Sequence, residues 1–351
     1  MAKILVTGGF GFIGHTLVKK LLDKGNSVHV VDNANTYNSF SKEFTNLLYS
    51  ERLKHLKIMS SSLDTGKLKI KNSTRYSSLI NINNVITANL ELSDVREAVV
   101  DNDYDVIYHL AGYPRQAETK ENTFEAADIH ARGLLNILHN QINLKRIIYF
   151  STSMVYGDFE DYVTERQQPN PQSLYGFMRL IGERTIMQYC KQNHISWNII
   201  RPCTVYGERD THNRVLGRFM WRAVNHKPLV INGANVILDF THVDDVVQGC
   251  VKLLDAVFEN RCANEIFNFS HSKVKYTIQY LADLIIETTG VNTGIEIRNP
   301  DTAFPKRSVM CIDKARHLLE FEPEISLEEG VKITWNWYQS STAMQHADTN
   351  R

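Results

Sequence analysis

Apolar positions follow two alternating rhythms along this chain. Short unbroken runs, KILVT (3–7), SVHVVD (27–32), DVIYHLAG (105–112), RIIYFSTSMVYG (146–157) and SWNIIRPCTVYG (196–207), have the length and β-branched content of strands buried on both faces. VITANLELSD (85–94) reads as a strand running into a helix start. Between the strands, HTLVKKLLDKG carries apolar residues at helical spacing, Leu17, Leu21 and Leu22, and stops at Gly25. Residues 123–140 and 173–192 read as longer helices. Strand–helix alternation predicts a parallel sheet with helices on both faces, and ligands bound beyond the carboxyl ends of the strands. The expected fold is α/β, a Rossmann-type doubly wound parallel sheet.

After residue 207 the rhythm changes, which predicts a smaller mixed α/β substrate-binding lobe over 208–340, partly interleaved with the first domain over 1–207. The last residues, 341–351, are expected to be a disordered tail. Residues 33–84 are polar and rich in Asn, Ser and Lys, with one helical patch near Phe44 to Leu56. They are expected to form a long surface excursion.

The first strand ends in a glycine turn, Gly8, Gly9, Gly11 and Gly14, that leads into the first helix. Glycines let backbone N–H groups approach a pyrophosphate, and the helix N-terminus adds partial positive charge. Asp32 ends the second strand, where a carboxylate can take the two hydroxyls of an adenosine ribose. It would repel a 2′-phosphate, so the order strand, turn, helix, strand, acid points to NAD rather than NADP.

Composition removes other classes. With 39 basic and 39 acidic residues the net charge is +0, which leaves no electrostatic footprint for nucleic acid. The five cysteines, Cys190, Cys203, Cys250, Cys262 and Cys311, form no CxxC pair, which argues against a zinc site or a disulfide framework. No apolar run approaches the roughly 20 residues of a membrane span, and no signal peptide is recognised. A cytoplasmic protein is expected, with no membrane or metal partner.

The stretch SLYGFMRLIGE (173–183) places Tyr175 and Arg179 four residues apart, on one helical face. A free phenol titrates near about 10. A neighbouring cation favours the phenolate, the form that removes a proton from a hydroxyl.

The segments TGGFGFIG, VVDN, HLAG, STSMVYG, YGFMR, RPCTVYGER, FTHVDDVV and SLEEGVKITWNWY together resemble the extended short-chain dehydrogenase/reductase family, in its nucleotide-sugar epimerase and dehydratase branch, over about residues 3 to 338. The resemblance implies that Tyr175 is the acid/base. It implies that Thr152 bonds the reacting sugar hydroxyl and that Arg179, where the family has lysine, holds the nicotinamide ribose. It implies a cofactor site of Gly8, Gly11, Phe12, Ile13, Gly14, Asp32, Asn33, Asn89, Leu90, Leu110, Ala111, Gly112, Tyr175 and Arg179. Thr152, Ser153, Thr204, Arg209 and Arg298 would contact a nucleotide-sugar substrate, the two arginines near its diphosphate. The helices over 123–140 and 173–192 would pair with their copies in a homodimer.

Several positions depart from the family pattern. His130 stands where asparagine is usual, Asn89 where an aspartate meets adenine, Leu238 where an arginine binds phosphate, and Thr204 where asparagine contacts substrate. Met154 occupies the place of the glutamate that moves a carbon-bound proton in the dehydratases and decarboxylases. Methionine does not titrate, so dehydration is disfavoured. The reading that remains is an NAD-dependent epimerase acting at C4. The alternatives are a net nucleotide-sugar dehydrogenase or ketoreductase, and an NAD-binding regulatory protein that has lost catalysis. His109 is expected to be structural, and Asp244 and Asp245 to sit at a helix N-terminus rather than act as an acid pair.

Overall fold

Seven strands form one sheet in which every neighbouring pair is parallel. They are β1 (Lys3–Thr7), β2 (Ser27–Asp32), β3 (Val85–Thr87), β4 (Val106–His109), β5 (Arg146–Phe150), β6 (Ser196–Pro202) and β7 (Glu265–Phe269). Their spatial order is β7-β6-β5-β4-β1-β2-β3. The order reverses between β1 and β4, and Thr7 at the end of β1 pairs with both Val31 and His109. A crevice opens at such a switch point beyond the carboxyl ends of the strands. The computed structural model describes residues 1–33, 42–56, 85–87, 103–139, 141, 143–211, 213–300 and 305–345.

Two-residue periodicity sends alternate side chains of each strand into different cores. From β1, Ile4 and Val6 join one core with Leu17, Leu21, Val246 and Leu253, contributed by the helices Phe12–Asp23 and Val243–Phe258. Leu5 points the other way, to Leu134, Ile137, Ile186 and Cys190. Both faces are therefore covered, as the continuous apolar runs predict.

A third core, built on Phe219, Met220, Ile231, Leu281, Ile285 and Val331, lies in the C-terminal half. Three two-stranded ribbons accompany it. The chain does not leave the first sheet at residue 207: β7 and the helix Val243–Phe258 return to it.

Two stretches differ from expectation. Within the polar excursion, Lys42–His55 is a helix whose Phe44 and Leu48 are buried in the third core. Glu51 on that helix then binds the start of the expected tail. Its carboxylate accepts from Ser341 Oγ at 2.8 Å and from the Ala343 N–H at 2.9 Å, and Ala343 and Met344 are buried. Disorder therefore does not hold for the tail's first residues, because a carboxylate and an apolar pocket hold them. Residues 346–351 lie outside the described ones.

The helix expected over 123–140 is continuous in direction but not in type. Thr123–Asp128 and Leu134–Leu138 are α-helical, and Ile129–Gly133 between them is a π-helical turn. Such turns insert one residue into the ladder and often accompany functional sites. His130 sits in it, fully buried. No helix among the described residues is long and apolar enough to cross a membrane.

Candidate active site

The crevice at the switch point is a cavity of about 240 Å³. Its wall is lined by Gly8, Gly11, Phe12, Ile13 and Gly14 from the glycine turn, and by Asp32 and Asn33 from the end of β2. Leu110, Ala111 and Gly112 follow β4, and Thr152, Tyr175, Arg179 and Thr204 complete the set of expected residues found there. Asn89 and Leu90 fall outside the described residues.

Two glycines are required by close backbone approach. A Cβ on Gly14 would lie 2.0 Å from the Gly8 carbonyl oxygen, and one on Gly8, at φ +72°, would lie 2.8 Å from the Ala111 nitrogen. The turn thus packs backbone on backbone and delivers the N-terminus of Phe12–Asp23 to the cavity. Asp32 accepts a hydrogen bond from the Phe10 N–H at 2.8 Å, which orients the carboxylate across the turn. Bare backbone, a helix N-terminus and an oriented carboxylate on one wall fit an adenosine dinucleotide.

The chemistry-bearing end is built on two glycine-tight contacts. Ser173 caps the helix Leu174–Asn193, its hydroxyl accepting from the Gly176 N–H at 3.2 Å. A Cβ on Gly176 would lie 2.6 Å from the Met154 carbonyl oxygen, and one on Gly182 2.1 Å from the Tyr149 hydroxyl. The helix is therefore pressed against β5 and the 3₁₀ turn Ser153–Tyr156 that follows it. Thr152 caps that turn, its hydroxyl accepting from the Met154 N–H at 3.2 Å. Tyr175 and Thr152 face the same cavity from two elements locked together.

Arg179 is buried, and its Cζ lies 5.5 Å from the centre of the Tyr175 ring. Two of its nitrogens are engaged by backbone: Nη1 donates to the Phe150 carbonyl at 2.9 Å and Nη2 to the Tyr113 carbonyl at 3.2 Å. Nε is buried with no partner among the described residues. Behind it lies a polar cluster. The Tyr149 hydroxyl contacts His130 Nδ1 at 3.5 Å and donates to the Arg179 carbonyl at 3.4 Å. His109 stacks on the Tyr149 ring, and its Nδ1 bonds the Thr7 hydroxyl at 2.9 Å. Burial, with the Arg179 charge added, pushes His109 down to about 3 and holds His130 well below the ordinary histidine range. Both imidazoles are neutral, and His109 is structural.

The remaining expected residues lie elsewhere. Ser153 turns from the cavity wall, its hydroxyl accepting from Arg307 Nη1 at 2.7 Å. Arg209 has φ +63°, and its carbonyl is gripped by Arg52 Nε at 3.1 Å and Nη2 at 2.8 Å; its side chain is not on the cavity wall. Arg298 is on the exposed strand Ile295–Arg298, ion-paired to Glu296 at 2.7 Å. His242, rather than an aspartate, caps Val243–Phe258 by accepting from the Asp244 N–H at 3.3 Å. Asp245 accepts from the Glu324 and Ile325 N–H groups at 2.9 and 3.2 Å, so the two aspartates do not act as a pair.

Sequence reading missed Tyr49, Arg52, Arg115, Asp210 and Arg214, all on the cavity wall. Arg52 is buried, and its Nη1 donates to the Phe10 carbonyl at 3.0 Å, which ties the Lys42–His55 helix to the glycine turn. The signal was the helical patch near Phe44 to Leu56, whose one arginine shares a face with Leu48. Arg214 pairs with Asp210 at 3.3 Å, and Arg115 with Glu118.

Residues 4–269 match the NAD dependent epimerase/dehydratase family. A putative UDP-glucose 4-epimerase of Methanocaldococcus jannaschii is 28% identical over 96% of this chain and 99% of its own. The UDP-glucuronate 4-epimerase of Thermodesulfobacterium geofontis is 27% identical over 96% of each chain. The crystal structure of a UDP-glucuronic acid 4-epimerase from Bacillus cereus, in complex with UDP-glucuronic acid and NAD, aligns with a TM-score of 0.80 at 26% identity, over 96% of this chain and 99% of that one.

Proposed function

The chain belongs to the NAD-dependent epimerase/dehydratase family, and from that premise we propose that it interconverts the two C4 epimers of a UDP-linked sugar, with Tyr175, Thr152 and Arg179 at the reacting carbon. The observation that carries this reading is the shared cavity: the glycine turn and Asp32 line the same crevice as Tyr175 and Thr152.

NAD, when bound, supplies a hydride acceptor that becomes the hydride donor of the return step. The chain's own groups do the rest. Thr152 holds the C4 hydroxyl through its side-chain oxygen, and Tyr175 takes the hydroxyl proton as the C4–H bond breaks. It returns that proton after the 4-keto sugar has presented its other face. Arg179 supplies fixed positive charge beside Tyr175, and its unmet Nε donor suits a ribose hydroxyl. Gly8, Gly11 and the helix start at Phe12 suit the pyrophosphate, and Asp32 the adenosine ribose. Among the cavity arginines, Arg115 and Arg214 are better placed for the diphosphate of the sugar nucleotide than Arg209 and Arg298, which are off the wall.

Met154 supports epimerisation over dehydration, since no titratable group stands there to remove a carbon-bound proton. Five free cysteines fit a reducing cytoplasm. Phe124 (90% exposed) and Phe177 (51% exposed) leave apolar surface on the helices Thr123–Asp128 and Leu174–Asn193, which supports pairing with a second copy. Mass measurement in solution tests that pairing.

The test of function is incubation of NAD-loaded protein with UDP-glucose, UDP-N-acetylglucosamine and UDP-glucuronic acid, with product NMR and the NADH absorbance followed together. A 4-epimer with no net NADH is expected. Lasting NADH would replace this reading with a net dehydrogenase, and no turnover of any UDP-sugar by NAD-loaded protein would overturn it.

A further inference from the structure

Glu51 and Arg52 are neighbours on the helix Lys42–His55, and they hold different parts of the molecule. Successive helical residues point about 100° apart, so one helix can grip two partners at once. Arg52 is buried and spans two segments beside the crevice. Nη1 donates to the Phe10 carbonyl in the glycine turn at 3.0 Å, and Nε and Nη2 donate to the Arg209 carbonyl at 3.1 and 2.8 Å. Phe10 is thereby held through both backbone groups, since its N–H donates to Asp32 at 2.8 Å. Burial disfavours the Arg52 charge, and Asp210, Asp32 and Glu51 lie close enough to offset part of that penalty. The same helix meets the turn a second time. The His55 ring lies edge-on to the His15 ring at 5.3 Å, and His15 Nδ1 donates to the Gly11 carbonyl at 3.0 Å.

Glu51 holds the other partner, the short helix Thr342–Gln345 and the residue before it. Its carboxylate accepts from Trp337 Nε1 at 3.1 Å, from the Ser341 hydroxyl at 2.8 Å and from the Ala343 N–H at 2.9 Å. Such bonds to an ionised acceptor are stronger than neutral ones. Ala343 and Met344 share the third core with Phe44 and Leu48 of the strap-like helix. Thr342–Gln345 is a single turn, too short to hold by itself, so its order depends on Glu51 and on that apolar contact.

The two grips stand on adjacent residues of one helix. When Thr342–Gln345 unseats, Glu51 loses its donors, Phe44 and Leu48 lose part of their cover, and Arg52 loses the support that keeps it on the Phe10 and Arg209 carbonyls. We propose that the helix Lys42–His55 is a strap that couples cofactor binding to the seating of Thr342–Gln345, with Arg52 as the positioning residue at the cofactor end and Glu51 as the anchor at the other. Tyr49 and Arg52 line the cavity together with Gly11 and Asp32, so NAD on that wall favours the form of the glycine turn that Arg52 grips. Linkage works both ways: bound NAD tightens the short helix, and a loosened short helix weakens NAD. The inference rests on NAD in the crevice and not on the reaction, so the epimerase reading can fail without it.

The test is amide hydrogen exchange of the whole chain without and with saturating NAD, alongside NAD affinity by calorimetry. The Ala343 and Met344 amides are expected to slow by about 5-fold or more on NAD addition, beyond any slowing in the helix Ile278–Thr289 of the same core. That helix is the control for the general stabilisation a bound ligand gives. Glu51→Ala is expected to weaken NAD by about 5-fold or more. Arg52→Met is expected to abolish the extra slowing at Ala343 and Met344 while NAD still binds. Exchange at those two amides that ignores NAD, or slows no more than in Ile278–Thr289, overturns the proposal. A Glu51→Ala protein with wild-type NAD affinity, or an Arg52→Met protein that keeps the extra slowing, overturns it too. If Arg52→Met does not fold, Arg52→Lys carries the test: its ammonium lacks the fork that spans both carbonyls, and the extra slowing is expected to shrink.

Discussion

His130 and Arg179 converge on one point of backbone: a Cβ on Gly112 would lie 2.7 Å from His130 Cε1 and 3.2 Å from Arg179 Nη2. These are two of the positions at which the chain departs from the family pattern, and they touch the same residue. The Arg179 guanidinium spans the Phe150 and Tyr113 carbonyls, donating to each from a different nitrogen. The π-helical turn sets a neutral ring against it. The two changes therefore form one unit. In a double-mutant cycle, Arg179→Lys and His130→Asn are expected to couple by about 0.5–3 kcal/mol in urea unfolding. Additivity within about 0.5 kcal/mol would show that they are independent. Arg179→Lys alone is expected to keep NAD binding, and Arg179→Ala to weaken both NAD binding and turnover.

Tyr175→Phe removes the proton carrier and leaves the ring packing intact. Turnover is expected to fall by about 10²–10⁴-fold, with NAD content and melting temperature close to wild type. Thr152→Val is expected to lose less, because it orients the hydroxyl but carries no proton. A Tyr175→Phe protein with unimpaired epimerisation would remove Tyr175 from the mechanism.

The parts legible in the sequence are those where a short segment determines its own structure. KILVT, the glycines behind it and SVHVVD announce strand, turn and strand within 32 residues; the structure forms them in that order, with Gly8, Gly11, Gly14 and Asp32 on the cavity wall. Tyr175 and Arg179 were legible for the same reason, since one helical turn fixes their spacing. Arg52 was not. It reaches the site from a distant segment, through contacts with Phe10 and Arg209, and no local pattern encodes such an arrival. Arg298, expected near the diphosphate because it matches a phosphate-binding arginine of the resembled family, lies instead on an exposed strand and pairs with Glu296.

Glu183 and Arg201 tie the Tyr175 helix to β6 through a two-pronged pair at 2.9 and 2.7 Å, with side chains 1% and 2% exposed. Breaking one side of a buried pair strands the other charge. Glu183→Ala is expected to lose about 3–5 kcal/mol of stability, read by urea unfolding. A loss below about 1 kcal/mol would mean that water enters and solvates Arg201. A combined Glu183→Leu, Arg201→Met protein is expected to recover most of the loss, since removing both charges leaves nothing unpaired.

Stability is expected to fall as pH falls from 7 to 5, and buried imidazoles set the sign. His15, His109 and His130 are all held neutral by burial, with His109 near 3. Unfolded, each titrates near about 6.5. Between that value and the depressed folded value the unfolded chain binds the extra proton, so each favours unfolding as acid is added. Their stabilisation is complete above about pH 6.5 and is lost progressively below it. Asp239 and Asp245 act in the opposite sense. Burial raises both to about 6, so the folded state keeps protons that the unfolded state has released, and their contribution grows as pH falls through that range. His55, His242 and His271 are lowered by burial in the same sense as the first three imidazoles, and Glu165, Glu208 and Asp210 are raised by burial like the two aspartates, so six imidazoles oppose five carboxyl groups, and the imidazoles prevail. Each contributes a slope of about 1.4 kcal/mol per pH unit where it is fully titrated in the unfolded state. Urea unfolding at pH 7, 6 and 5 reads the net slope, and His130→Asn is expected to flatten it by one imidazole's share. Unfolding free energy that rises toward pH 5 would mean that the raised carboxyl groups, rather than the buried imidazoles, govern the acid response of this fold.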